Sequence, residues 1–189
     1  MTVFYTSDTH FCHKNILQHE NRPFNDIDEM DTALIEQWNK TVGKKDTVYH
    51  LGDFVFGGIT KWEKILSQLN GEIHLVLENH DDKKVVKKIF QYFDSIENMI
   101  VRNINKQHLF LCHYPIEIGL TPNTYSIHGH IHSRPSSAIN QINVGVDSSF
   151  TKSLVGFGNL IPEDLLLDGL PFIKEEIMTL RNSVKEEEK

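Results

Sequence analysis

Asp46-Thr47-Val48-Tyr49-His50-Leu51-Gly52-Asp53 is the stretch whose reading decides the fold. It is a short run of β-formers that ends on a glycine and a carboxylate, with the glycine turn Phe56-Gly57-Gly58 just beyond. A buried strand that stops at Gly-Asp delivers a carboxylate to the carboxyl edge of a sheet, where open α/β sheets hold their ligands. Gly52 adds no side-chain bulk, so a large group can lie against the backbone. Alone, the pair reads equally well as a plain turn. Four other strand ends repeat the pattern with Asp, His and Asn, and the repetition makes it a site.

Working outward, Thr2 to Ser7 reads as a strand that runs into Asp8-Thr9-His10. A helical turn at Lys14 to Gln18 and a loop at Asn21-Arg22-Pro23-Phe24-Asn25 follow. Asp26 to Thr41 carries Ile27, Met30, Ala33, Leu34, Ile35 and Trp38 near helical spacing, with Asp28 and Glu29 suited to its positive end. Thr60 to Leu69 is a second amphipathic helix, stopped at Asn70-Gly71. Ile73 to Leu77 is a third strand, and Lys83 to Tyr92 a helix whose lysine cluster is either a solvated face or a phosphate-attracting rim. Alternating strands and helices imply α/β layering. Beyond Asp94 the character turns to short strands at Met99 to Ile104, His108 to Cys112, Tyr125 to His128 and Ile142 to Val146, several close enough for hairpins. From Ile161 onward come Pro162, Leu165 to Leu167 and Gly169-Leu170-Pro171, then a charged helix to Lys189 that Phe172, Ile173, Ile177 and Leu180 could dock, with a frayed tail at Lys185 to Lys189.

A chain of 189 residues with no repeat or linker is expected to form one domain: a core over about 1–160 and a C-terminal helical appendage over about 161–189. The net charge of -7 argues against holding a polyanion by net field, though a local basic patch stays open. Cys12 and Cys112 make neither a disulfide scaffold nor a Cys-x-x-Cys zinc pattern. There is no signal-like start and no apolar run near the ~20 residues that span a bilayer. The expected setting is a reducing cytoplasm (the host's, if the chain is phage-encoded), without a membrane partner.

Asp8, His10, Asp53, Asn79, His80, His113, His130 and His132 each lie at or just beyond the end of an apolar β-like run. Asp8-x-His10 and His130-x-His132 each put two side chains on one side of an extended segment. Imidazoles and carboxylates from separate strands suit Mn, Fe, Zn, Co or Ni better than Ca or Mg. The candidates are too many for one open site, so two metals sharing Asp53 is the economical arrangement. Singly, each motif reads more readily as a surface loop or turn. Together, in this order, they do not.

The sequence here resembles the calcineurin-like metallophosphoesterases, in their small bacterial and phage form. The family's ordered blocks appear as Asp8-Thr9-His10, Gly52-Asp53, Glu78-Asn79-His80-Asp81, His113 and Gly129-His130-Ile131-His132, across about residues 2–147. The resemblance implies an α/β fold, an αββα sandwich of two mixed sheets flanked by helices, with a dimetal site at the sheets' carboxyl edge. It implies Asp8, His10 and His132 on one metal, Asn79, His113 and His130 on the other, and Asp53 on both. His80 then faces the substrate phosphate, stabilising it or protonating the leaving oxygen. Asp81 either orients His80 or closes the turn. Two ions ~3.5–4 Å apart would activate a bridging hydroxide and clamp phosphoryl oxygens.

One departure matters: Glu78 stands where the family has Gly. It either points away from the metals, leaving an active enzyme, or crowds the strand end and alters substrate preference or weakens catalysis. His13 is a candidate substrate contact or a local structural residue, and Arg22 a phosphate contact or a solvated loop residue. With Asn79 and His80 these make up the substrate-binding set. Tyr114 and Pro115 would shape the pocket wall, and Asn143 to Asp147 is read as architecture. The expected activity is a dinuclear phosphoesterase with Mn as first-choice metal, preferring diesters, on small phosphorylated or nucleotide substrates or nucleic-acid ends. The alternatives are a phosphomonoesterase or pyrophosphatase, and a metal-holding binding protein with weakened catalysis. Monomer and homodimer both remain open.

Overall fold

The computed structural model describes residues 1–78 and 83–187, the side chains of 83, 84 and 184–187 excepted. Four strands run parallel in the first sheet: β1 (Val3–Thr6), β2 (Thr47–His50), β3 (Glu72–Val76) and β4 (Ser95–Glu97). Their spatial order is β4-β3-β2-β1, and Ile161–Pro162, strand β9 in chain order, pairs antiparallel with β1 at the far edge. A proline is tolerated there because an edge strand can spare one backbone donor. The crossovers carry helices α1 (Ile16–His19), α2 (Ile27–Thr41), α3 (Ile59–Leu66) and α4 (Lys83–Ile89). Asp26 caps α2 by accepting from the Glu29 amide, and Trp38 secures its far end by donating Nε1–H to Asn70 O at 2.9 Å.

The second sheet has the order β5 (Ile100–Ile104), β6 (Gln107–Leu111), β7 (Thr124–His128), β8 (Gln141–Asn143). Among these strands only β5 and β6 form a hairpin. Its two loop residues, Asn105 and Lys106, have φ of 48° and 66°, as a type I′ turn requires. The other expected hairpins are corrected: β6, β7 and β8 run parallel. The segments 112–123 and 129–140 are long enough to carry the chain back before each new strand. Parallel direction is what brings His113 and His130 to the same edge. The expected strand Ile142 to Val146 ends early, at Asn143, and Gly145 then bridges to Ser7 of the first sheet.

Side-chain alternation sets two cores. Phe4, Val48, Ile73 and Leu75 face the helices and pack with Met30, Leu34, Trp38, Trp62 and Ile65. Tyr5, Leu51 and Val76 face the other way, onto Leu109, Leu111, Tyr125 and Ile127 of the second sheet. A short helix α5 (Ser149–Leu154), capped by Ser148, and a long α6 (Glu163–Glu187) complete the chain. Helix α6 begins earlier than expected and docks through Leu166, Leu170 and Ile177. Phe172 and Leu180 are exposed, since they fall on its outer face. The side chains of the expected frayed tail fall outside the described residues. No helix among the described residues is long and apolar enough to cross a membrane.

His50, on β2, is fully buried with Nε2 3.0 Å from Thr9 Oγ1 and its ring 3.9 Å from that of Phe54. Burial pushes its pKa down to about 3, so the fold holds it neutral. A depressed folded-state value means the stabilisation is complete above the unfolded pKa of ~6.5 and is lost as pH falls toward the folded value. Metal-free protein should therefore lose roughly 2–3 kcal/mol more than a His50→Phe variant between about pH 7.5 and about pH 4.5. Urea unfolding at the two pH values reads this directly, and equal losses would contradict it.

Candidate metal centre

Past their last ladder pairs, the segments after β1 and β2 stay zipped together. Asp8 N donates to Gly52 O at 3.1 Å, His10 N to Asp53 O at 2.9 Å, and Phe11 N to Phe54 O at 2.8 Å. Asp8, His10 and Asp53 are thereby held side by side. The backbone is left-handed at Asp8 (58°), His10 (52°), Asp53 (52°), His130 (68°) and His132 (52°). Each such non-glycine residue costs on the order of 1 kcal/mol or more, and clusters of them occur where a site is held in place by its surroundings.

Asp53 lies between two histidines: its Oδ2 is 3.4 Å from His10 Nε2 and 3.4 Å from His113 Nε2. Ligand atoms of Asp8, His10, Asp53 and His132 all lie within 4.8 Å of one another, and so do those of Asp53, His113 and His130. Asp53 belongs to both groups. His10 Nε2 and His113 Nε2 are buried without a hydrogen-bond partner, an arrangement that leaves a lone pair for a cation. The Asp8 carboxylate is wholly buried. It accepts from His130 N at 3.0 and 3.1 Å, and burial raises its pKa in the absence of a countercharge. For Asp53 burial also acts upward, but His10 and His113 outweigh it and hold the carboxyl low. His113 answers in kind: burial lowers its pKa, and Asp53, with Asp8 and the Leu51 carbonyl, more than offsets that. Nitrogen and oxygen donors with buried, unsatisfied lone pairs fit borderline divalent metals.

Comparison with known proteins gives the same picture. Residues 1–146 match the model of the calcineurin-like phosphoesterase superfamily domain. The chain belongs to that superfamily. An uncharacterized protein of Methanocaldococcus jannaschii is 34% identical over 133 residues, 69% of each chain. The gene 66 protein of Mycobacterium phage L5 is 28% identical over 209 residues, 92% of this chain and 96% of the phage protein. An Aquifex aeolicus crystal structure, described as a protein of unknown function, superposes with a TM-score of 0.69 at 26% identity. It covers 88% of this chain and 98% of its own. The superfamily is one of metal-dependent phosphoesterases, and the fold is its pair of mixed sheets with flanking helices.

Within this calcineurin-like frame, two histidines have their tautomers set from behind. His113 Nδ1 lies 2.7 Å from Leu51 O, a carbonyl that can only accept, so Nε2 is left as the lone-pair nitrogen. His132 Nδ1 lies 3.2 Å from Asp147 Oδ2, which also raises the histidine's pKa against the effect of burial. Gly52 turns out to make room for a side chain of the protein: a Cβ there would lie 2.6 Å from His113 Nδ1, at a φ of 93°. A Cβ at Gly129 or Gly145 would overlap the Asp8 carboxylate.

Arg22 is a correction. It is 5% exposed, so neither the phosphate contact nor the solvated loop residue describes it. It donates to four oxygens, both of Asp147 (3.1 and 2.7 Å), Thr9 O (2.7 Å) and Asp8 O (2.7 Å), and to Met30 Sδ (3.3 Å), which leaves nothing for substrate. Asp147, expected as architecture, thus joins Arg22 to His132. Asn143 also reaches the site, donating to His132 O at 2.9 Å.

His13 stands at the mouth of the site, Nδ1 3.3 Å from His10 Nδ1 and its ring 4.3 Å from that of Phe56. Tyr114 walls the other side, with ring centroids 4.9 Å from His113 and 4.5 Å from His130. Glu78 lines the same cleft as His10, His13 and Asp53 rather than standing apart from them. Asn79, His80 and Asp81 lie outside the described residues. Sequence reading missed Asp31, which accepts from the Cys12 amide at 3.0 and 3.1 Å and from its thiol, anchoring the loop after His10. Burial and Asp31 push the Cys12 thiol up to about 11, so it is inert. The signal was available: Asp31 falls on the buried stripe 30-31-34-38 of α2.

Proposed function

We propose that this protein is a dinuclear metal-dependent phosphodiesterase acting on nucleotide-type substrates. The observation that carries the reading is Asp53 Oδ2 standing 3.4 Å from both His10 Nε2 and His113 Nε2, one carboxylate common to two ligand groups. Asp8, His10 and His132 would hold one ion with Asp53, and His113, His130 and Asn79 the other. When bound, a pair of divalent ions offsets charge on phosphoryl oxygens and acidifies water for in-line attack.

The chain's own residues do the positioning. Leu51 O and Asp147 turn the lone pairs of His113 and His132 inward, and Tyr114 covers His130 on one side. The His130 amide fixes both Asp8 oxygens. The family role carried over to His80 is protonation of the leaving oxygen, and it is the reason to prefer a diester with its poor alkoxide leaving group as substrate. Mn is the metal assigned first, and a reducing cytoplasm the setting, in keeping with two free thiols.

The test is hydrolysis of bis(p-nitrophenyl) phosphate and p-nitrophenyl phosphate by metal-stripped protein reloaded with Mn. Metal-dependent cleavage of the diester is the expected result. Cleavage of the monoester alone would turn the assignment to a phosphatase. Cleavage of neither would leave a metal-holding protein, and Glu78→Gly would then be the variant expected to restore turnover.

A further inference from the structure

Beside His10 and Asp53 the surface opens into a cleft of about 330 Å³, at the small end of the range for ligand pockets. Among the described residues, beyond His10, Asp53, His13 and Glu78, its walls are apolar: Phe54, Val55, Phe56, Trp62, Val85 and Val86. Phe56 is 58% exposed, an unusual position for a phenyl ring that the backbone holds firmly. Its amide donates to Phe11 O at 2.8 Å, and Phe11 is itself zipped to Phe54. The ring lies stacked on His13, centroids 4.3 Å apart and planes 23° from parallel. A fixed, half-open aromatic pair therefore borders the place where the ligand groups would hold a phosphate.

Chemistry narrows what can enter. A group esterified to a phosphate held beside Asp53 finds room along the walls that Asp53 and His10 share with the cleft. The apolar part of those walls would cost a bare polyol its hydration. A planar ring system avoids that cost and gains a stacking face. We propose that this cleft is a nucleobase subsite, with the Phe56–His13 pair as its stacking platform, so that the ester substituent preferred by this protein is a single nucleoside. The inference rests on the phosphodiesterase reading for the place of the phosphate, but its test does not need turnover.

The experiment is calorimetric binding of adenosine 5′-monophosphate and ribose 5-phosphate to the Mn-loaded protein, wild type and Phe56→Ala. The two ligands share the phosphate and the sugar, so their ratio isolates the base. The wild type should bind the nucleotide about 5- to 150-fold more tightly, the span expected for one base on an aromatic side chain. Phe56→Ala should remove most of that ratio while leaving ribose 5-phosphate affinity unchanged, and Phe56→Tyr should retain it. Because the ring is mostly exposed, an unchanged Tm for Phe56→Ala accompanies the expected result. Equal affinities in the wild type, no binding of either ligand, or a Phe56→Ala loss shared by both ligands overturns the subsite. Hydrolysis of bis(p-nitrophenyl) phosphate by the same preparations decides the phosphodiesterase reading separately.

Discussion

An Asp53→Asn protein reloaded with Mn should cleave bis(p-nitrophenyl) phosphate at least ~10³-fold more slowly than the wild type. It should retain fewer than about two ions per chain by elemental analysis. The magnitude follows from position. Among the described residues Asp53 is the one carboxylate common to both ligand groups, and removing its charge weakens both at once. Metal-ion catalysis supplies several kcal/mol of transition-state stabilisation, and about 4 kcal/mol is a thousandfold in rate. Asparagine is the better test than alanine, because the backbone here has a φ of 52°, a conformation Asn adopts readily. A circular-dichroism spectrum like that of the wild type should accompany the lost activity. Retention of full Mn-dependent turnover would remove the basis of the dinuclear assignment.

Replacing Arg22 should have the largest effect on stability. Its side chain and that of Asp147 are 0% and 2% exposed, so the pair is taken out of water almost completely. Arg22→Leu leaves a buried carboxylate with His132 alone, and strips the Thr9 and Asp8 carbonyls of their charged donor. Breaking a buried pair from one side costs about 3–5 kcal/mol. Losing the support behind a metal ligand typically costs about 10- to 100-fold in metal affinity. Arg22→Lys keeps the charge but cannot reach all four acceptors, and should fall between. The pH dependence separates this from a simple packing loss. Burial acts to raise the Asp147 pKa, but His132 and Arg22 outweigh it and hold it low. That stabilisation is present above the unfolded value of ~3.9 and is lost as pH falls through the folded one. The stability gap between wild type and Arg22→Leu, measured by urea unfolding of metal-free protein, should therefore narrow below about pH 4. A gap constant with pH would mean that packing, and not the ion pair, is what Arg22 supplies.

Arg22 also shows where reading a sequence stops. Asp8, His10, Asp53, His113, His130 and His132 announce themselves because each interrupts an apolar run at its end, and a strand end is a local event. The structure brings all six together. Arg22 sits in a polar loop with Pro23 and Asn25, a context indistinguishable from a solvated turn, and its partner Asp147 is 125 residues away. Strand direction was hidden for a related reason. The segments between β6, β7 and β8 carry ordinary turn residues, and only the docking of the second sheet on the first decides that they return the chain. Helix α6 was read late because Gly169 and Pro171 suggested a break, yet Leu166, Leu170 and Ile177 bury enough apolar surface on the second core to carry the helix through them. Asp31 was legible but passed over, an acid on a stripe that should have been apolar.

The direction of the second sheet has one more consequence. Asp8, His10 and Asp53 follow strands of the first sheet, whereas His113, His130 and His132 follow strands of the second. A nascent chain that has built only its first half holds Asp8, His10 and Asp53, with Asn79 in the same half, and still lacks the histidines that complete either group around Asp53. In the dinuclear reading, metal capture would be a late event of biogenesis, a certificate that the two halves have met in the right register.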